Sequence, residues 1–317
     1  GIGDFVLMTG ALRVLADACG EDHLSICVRP LLVPLARSQF PRATVIELPT
    51  AAERKIVNLF ARNFVCCLPL WYRLRTTRFD AAVCFRSMRN YLETFLFYSA
   101  NADRHVACEN LLLRSGRKVR TAVERSVARI FRADLAPYPA GPCGLPLEIE
   151  ANRVLVERVL ARSVGAEEIL PQLRCPGTAD GSYWILAPVT NLKTKVYPFP
   201  RWRDLLAGLG PEALERDIRL AGAENDRPLL EEMLGLLRGA GFTGAKIETP
   251  PDLVAYVDLI AGAGLMLTVD TAAAHFATAL DKRTVVLFSG LHRGMFAPWT
   301  RSRRQVWLQP EDEAAGA

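Results

Sequence analysis

"LMLTVDTAAAHFATALDKRTVVLFSG", residues 265–290, decides the fold. Two short apolar runs, "LMLTVD" (265–270) and "RTVVLFSG" (283–290), flank a segment with helical spacing of small apolar residues. A strand, a helix and a strand at this spacing form a crossover unit, and crossover units build parallel sheets covered on both faces. Working outward, the same rhythm recurs in "SYWILAPV" (182–189), "DIRLAGA" (217–223) and "AKIET" (245–249), with "QVWLQ" (305–309) adding a further strand. Between them "RWRDLLAGL", "DRPLLEEMLGLLRGA" and "PDLVAYVDLIAGA" carry helical periodicity.

The first half repeats the pattern less cleanly. A helix in "ALRVLADACG" precedes strand-like "HLSICVR", "TVIELP", "FDAAVCF" and "RHVAC", with a long basic insertion among them. The proline- and glycine-rich "LAPYPAGPCGLPLE" (135–148) reads as a loop near a domain boundary. The expected organisation is therefore two doubly wound α/β domains, 1–150 and 151–317, facing each other across a ligand cleft at the carboxyl ends of their strands. In such a domain a first strand runs into the Gly1–Gly3 turn, so the numbered chain is expected to lack that strand and its natural N-terminus.

Half of the 317 residues are hydrophobic and 23% are charged, which supports two sizeable cores and argues against disorder. The apolar stretches are interrupted before the ~20 residues of a spanning helix. Eight cysteines without a CxxC pair read as small buried hydrophobes in a reducing compartment; four scattered histidines add no ligand spacing, and no metal is assigned. The net charge of +5 is uneven: residues 54–132 hold 16 basic against 5 acidic side chains. In "IVNLFARNFVCCLPLWYRLR" arginines alternate with Phe64, Trp71 and Tyr72, which fits an anionic membrane surface or a phosphorylated partner better than a merely solvated face. No nucleic-acid motif is present, and nucleic acid is not an expected partner.

Three stretches carry candidate chemistry. In "TVDTAAAHFATAL" a strand ends in Asp270-Thr271 and a helix begins, so its free first-turn N–H groups suit a phosphate; Asp270 or Thr271 would otherwise serve simply as an N-cap. His275 lies four residues past Thr271, on nearly the same helical face. In "APVTNLKTKVYPFPRW" (187–202) Thr190, Asn191, Lys193 and Lys195 fill a strand-to-helix loop suited to a diphosphate. In "LAGAEND" (220–226) Glu224 follows a strand, where an acid accepts ribose hydroxyls or caps the next helix.

Together these stretches resemble the lipopolysaccharide heptosyltransferases, glycosyltransferase family 9. The resemblance rests on "GIGDFVLMTGALRVL" as the family's opening Gly-Asp turn and first helix, on "TNLKTKVYP" as its lysine loop, and on "VDTAAAHFATALDKRTVVLF" as its Asp-Ser/Thr-Gly-x-x-His segment. It implies a GT-B fold of two facing Rossmann-like domains, the N-terminal one for the acceptor and the C-terminal one for a nucleotide-sugar donor such as ADP-heptose. It implies that Asp4 is the general base of an inverting transfer to a lipid-linked or oligosaccharide acceptor, at the inner face of the cytoplasmic membrane. Asp4 as a helix N-cap is the plainer alternative. The resemblance further implies that Lys195, Asp270, Thr271, the Ala272 N–H and His275 hold the donor diphosphate, with Thr190, Asn191 and Glu224 beside it. No cofactor is implied, and no Asp-x-Asp motif for a metal-bridged diphosphate occurs. Two departures stand out: Ala272 replaces the family's glycine, and "SGLHRGMFAPW" replaces its Gly-Pro-Thr-Asp turn. Rival readings are a nucleotide-sugar sensor without catalysis and an epimerase on the same fold.

Overall fold

The computed structural model describes residues 1–48, 56–87, 89, 91–109, 126–139, 144–175 and 181–309. Cys143 and parts of the basic stretch 54–132 lie outside the described residues. The chain divides into two compact units. One comprises Gly1–Leu7, Pro171–Arg293 and Ala297–Ala317; the other comprises Met8–Leu170 and Gly294–Phe296. The division thus falls at Leu170/Pro171 rather than at the expected 150/151. The reason is that helix Leu147–Leu160 buries Ala151 and Leu155 against Val106 and Cys108 of the first-half sheet.

The unit holding most of the second half contains a six-stranded, wholly parallel sheet. Its strands are β6 (Trp184–Ala187), β7 (Ile218–Ala221), β8 (Ala245–Glu248), β9 (Leu265–Val269), β10 (Thr284–Leu287) and β11 (Gln305–Leu308). All six are the runs expected from sequence, and their spatial order is β8-β7-β6-β9-β10-β11. In order of appearance this is 3-2-1-4-5-6, the doubly wound dinucleotide-binding order. Near-continuous apolar strands such as "LMLTV" follow from helices covering both faces. Helix Arg227–Gly239 shows how: Leu230, Met233 and Leu237 form one buried stripe, and Pro228 sits in its first turn, where no N–H is needed. That stripe meets Trp202, Phe242 and Leu220 in a core whose members are fully buried. Each such aliphatic side chain contributes about 1.5–3 kcal/mol.

The other unit carries two parallel sheets. β1 (Ser25–Val28) pairs with β2 (Thr44–Glu47), and β3 (Phe79–Cys84), β4 (Ala102–Cys108) and β5 (Asp134–Ala136) lie in that order. β5 falls inside the stretch read from sequence as loop. The basic insertion contains a helix, Ile56–Thr76, that packs Leu70, Trp71 and Leu74 on Ile46 and Leu96. Its Leu68, Tyr72, Arg73 and Arg75 remain exposed. Among the described cysteines only Cys67 and Cys108 are buried, so the expectation of buried thiols holds for a minority. No described helix is long and apolar enough to cross a membrane.

The first helix, α1 (Ile2–Cys19), begins earlier than expected: the glycine stretch read as a turn is its first turn. Asp4 therefore lies within the helix, and the N-cap alternative does not describe it. Gly10 is required further along, because a Cβ there would stand 2.1 Å from the carbonyl oxygen of Ile169.

Candidate active site at the sheet's switch point

In the doubly wound sheet the chain reverses direction of growth between β6 and β9, which are direct neighbours with Ala187 opposite Thr268. In this topology the switch point between two such strands, outside their carboxyl ends, is the usual ligand position. Buried Thr268 ties the two strand ends together by donating from Oγ1 to the Ala187 carbonyl at 3.0 Å. The loop after β6 carries Lys195, and the residue after β9 is Asp270. Their side chains meet as an ion pair, Nζ to Oδ2 at 2.6 Å, with 12% and 5% of their surfaces exposed. Lys193, two residues earlier, is exposed, so the structure separates the two lysines of this loop.

Helix Ala272–Ala279 starts at the same edge with Thr271 in the N-cap position. Thr271 makes no capping hydrogen bond through its side chain. Asp270 does not cap either, since it is turned to Lys195. The helix therefore presents first-turn N–H groups and a hydroxyl beside a cation, an arrangement that suits an anion. Ala272, half-buried, is the first helical residue.

His275 completes the group one turn on. It is buried, and burial pushes its pKa down to about 4; Lys195 pushes the same way, while Asp270 and Asp4 oppose it. The imidazole is thus neutral at pH 7. The first turn of α1, which belongs to this unit, lies against it: a Cβ on Gly3 would stand 3.3 Å from Cδ2 and 3.8 Å from Nε2 of His275. Glycine at this position lets the turn that bears Asp4 approach the ring closely. The Asp4 carboxylate is half-exposed. Lys195, Asp270, Thr271, Ala272, His275 and Asp4 therefore gather in one unit.

The remaining expected residues lie further round the loops. The Thr190 hydroxyl accepts from the Leu192 N–H at 3.3 Å and shapes the lysine loop, while Asn191 is exposed. Glu224 follows β7, the neighbour of β6. Arg227 donates to it at 2.5 and 2.8 Å and Thr249 at 2.7 Å, and these bonds push its pKa down to about 2. It does not cap the helix that follows; Asp226 accepts from the Ala223 N–H instead.

Sequence reasoning missed Trp299. Its indole N–H donates to His275 Nδ1 at 3.0 Å, with the two rings 9° from parallel. It stands in the loop that departs from the family's usual turn, and a tryptophan in an irregular loop gives no spacing signal. The other unit has a buried polar group that was missed as well: Glu148 accepts from the Ser87 and Tyr138 hydroxyls. Burial, and after it the Glu148 carboxylate, push the Tyr138 phenol above its ordinary range.

The comparisons with known proteins bear on the family and the fold. The profile of glycosyltransferase family 9 (heptosyltransferase) matches residues 118–315. No curated protein matches the sequence. Among solved structures, E. coli heptosyltransferase WaaC with ADP superposes with a TM-score of 0.73 at 18% identity, over 98% of this chain and 90% of that one. E. coli ADP-heptose lipopolysaccharide heptosyltransferase II gives 0.68 at 15% identity, over 97% and 87%. A family 9 glycosyl transferase from Veillonella parvula gives 0.68 at 13%, over 98% and 85%. At these identities the likeness establishes the fold, which is of the GT-B type.

Proposed function

We infer the activity from family and site together: the chain belongs to glycosyltransferase family 9, the heptosyltransferase family. The reaction is transfer of a sugar from a nucleotide-sugar, ADP-heptose or a similar donor, to a lipopolysaccharide or other surface-glycan acceptor, with inversion at the anomeric carbon. The observation that carries this reading is the convergence of Lys195, the Thr271–Ala272 helix start, His275 and the Asp4 turn at the switch point of one sheet. A WaaC structure with ADP-2-deoxy-2-fluoro heptose shares the fold at a TM-score of 0.69, which supports the donor class.

Asp4 is the general base. Its carboxylate takes the proton of an acceptor hydroxyl as that oxygen attacks the anomeric carbon. The glycosidic bond forms, the bond to the diphosphate oxygen breaks, and the nucleoside diphosphate departs with the electron pair. Lys195 and the Thr271–Ala272 N–H groups offset the charge that builds on the leaving oxygens, and neutral His275 donates a hydrogen bond there. No bridging metal is needed for this part of the chemistry. Asp270 orients Lys195, and Thr190, Asn191 and Glu224 complete the donor side. The exposed face of helix Ile56–Thr76, with Tyr72, Arg73 and Arg75, docks on an anionic lipid surface beside the lipid-linked acceptor, at the inner face of the cytoplasmic membrane.

Incubation of the chain with a panel of nucleotide-sugars, with and without glycolipid, tests the reading. Release of nucleoside diphosphate that depends on glycolipid is expected. Binding without release under every acceptor would replace the transferase with a nucleotide-sugar sensor.

A further inference from the structure

A buried histidine offers two nitrogens, and which one carries the proton is set by what the other nitrogen meets. The Trp299 indole is a donor only, and it points at His275 Nδ1 from 3.0 Å. Nδ1 must therefore be the bare, accepting nitrogen. We propose that Trp299 is a positioning residue that holds His275 as the neutral Nε2–H tautomer, so that the ring donates a hydrogen bond from the nitrogen facing the first turn of α1.

The surroundings make such a device necessary. Burial, with Lys195, opposes a charged imidazolium, whereas Asp270 and Asp4 both favour it. An imidazolium would carry a proton on Nδ1 as well, directed at another N–H, so the indole penalises that form by lost hydrogen bonding and direct repulsion. The contact also fixes the plane of the ring. Trp299 is itself buried and runs nearly parallel to the imidazole, and Trp307 closes another side at 6.2 Å between centroids. With Nδ1 occupied and the ring enclosed, Nε2–H is left to meet an anionic oxygen at the start of helix Ala272–Ala279. In the proposed function that oxygen belongs to the donor diphosphate. The tautomer itself rests on the indole contact and not on that assignment.

The test is nitrogen-15 NMR of the full chain labelled at histidine. Only four histidines contribute, and His275 is assigned by the signals missing in His275→Gln. The expected wild-type signature is an unprotonated Nδ1 and a protonated Nε2, unchanged from pH 7.5 to pH 5. Trp299→Phe keeps the ring and removes the N–H. It should give a mixture of tautomers, an apparent His275 pKa shifted upward, and roughly two- to tenfold weaker binding of ADP, or of whichever nucleoside diphosphate binds the wild type. A protonated Nδ1 in the wild type overturns the proposal without any variant, as does a Trp299→Phe protein that keeps the wild-type signature. If the signature is as expected but no nucleotide binds, the tautomer stands and the proposed function falls.

Discussion

Replacing Lys195 by alanine probes the site through stability and binding at once. Its pairing with Asp270 is short, at 2.6 Å, and almost wholly enclosed. Removing one member of a buried ion pair leaves an uncompensated charge and costs about 3–5 kcal/mol. The 12% exposure of Lys195 places this case near the lower figure, about 3 kcal/mol. Combining Lys195→Ala with Asp270→Asn removes both charges and should restore most of that loss, with Asp270→Asn alone as the other single variant. Four of the five tryptophans, Trp184, Trp202, Trp299 and Trp307, lie in the unit that holds the pair, so indole fluorescence in a urea titration reports on the right unit. Binding responds separately. A charge-assisted hydrogen bond to phosphate is worth about 1.5–3 kcal/mol, so nucleoside diphosphate affinity by calorimetry should fall roughly ten- to a hundredfold. If the single-variant destabilisations simply add within about 0.5 kcal/mol, the pair does not couple and the structural argument is refuted. Unchanged affinity for every nucleotide that binds the wild type removes Lys195 from the phosphate site.

Three further outcomes follow from particular contacts. Gly10→Ala would drive a Cβ to 2.1 Å from the Ile169 carbonyl, and forced overpacking of this kind costs about 1–3 kcal/mol or more; an unchanged urea midpoint would contradict it. His275 has a folded pKa of about 4 against an ordinary 6.5, so below pH 6.5 the unfolded chain binds a proton that the folded chain refuses. Its stability contribution is thus unpenalised above pH 6.5 and erodes by about 3 kcal/mol as pH falls to 4, an erosion that His275→Gln should lack when the two urea-midpoint profiles are compared. Flotation with acidic liposomes should recover the protein at low salt and lose it at high salt, whereas equal recovery with neutral liposomes would speak against the docking face.

The legibility of this chain followed its physics. Strands β6 to β11 are short, nearly continuous apolar runs because helices cover both faces of their sheet, and each could be read directly. β5 is three residues long beside a proline-rich stretch, so it gave neither length nor alternation. The helix Ile56–Thr76 lies in the stretch read only as a long basic insertion, because its arginines and an internal proline, Pro69, obscure the helical spacing. In the site, the helix start at Thr271 and the lysine loop were visible as strand-to-helix junctions. That Lys195 meets Asp270 could not be read from spacing, because the strand order rather than the chain brings β6 beside β9. Trp299 reaches His275 across 24 residues of chain through a single side-chain contact, and no periodicity encodes that.

The central claim is that the carboxylate in the first turn of α1 acts as the base for sugar transfer. Asp4→Asn tests it most directly, because Asn preserves the shape of the side chain and removes its basicity. The measurement is the rate of nucleoside diphosphate release from the donor in the presence of acceptor, with donor affinity measured alongside. The account predicts unchanged donor binding and turnover lowered by about 10²–10⁴-fold, the usual worth of a general base. Near-wild-type transfer by Asp4→Asn, with the donor still bound, would contradict it.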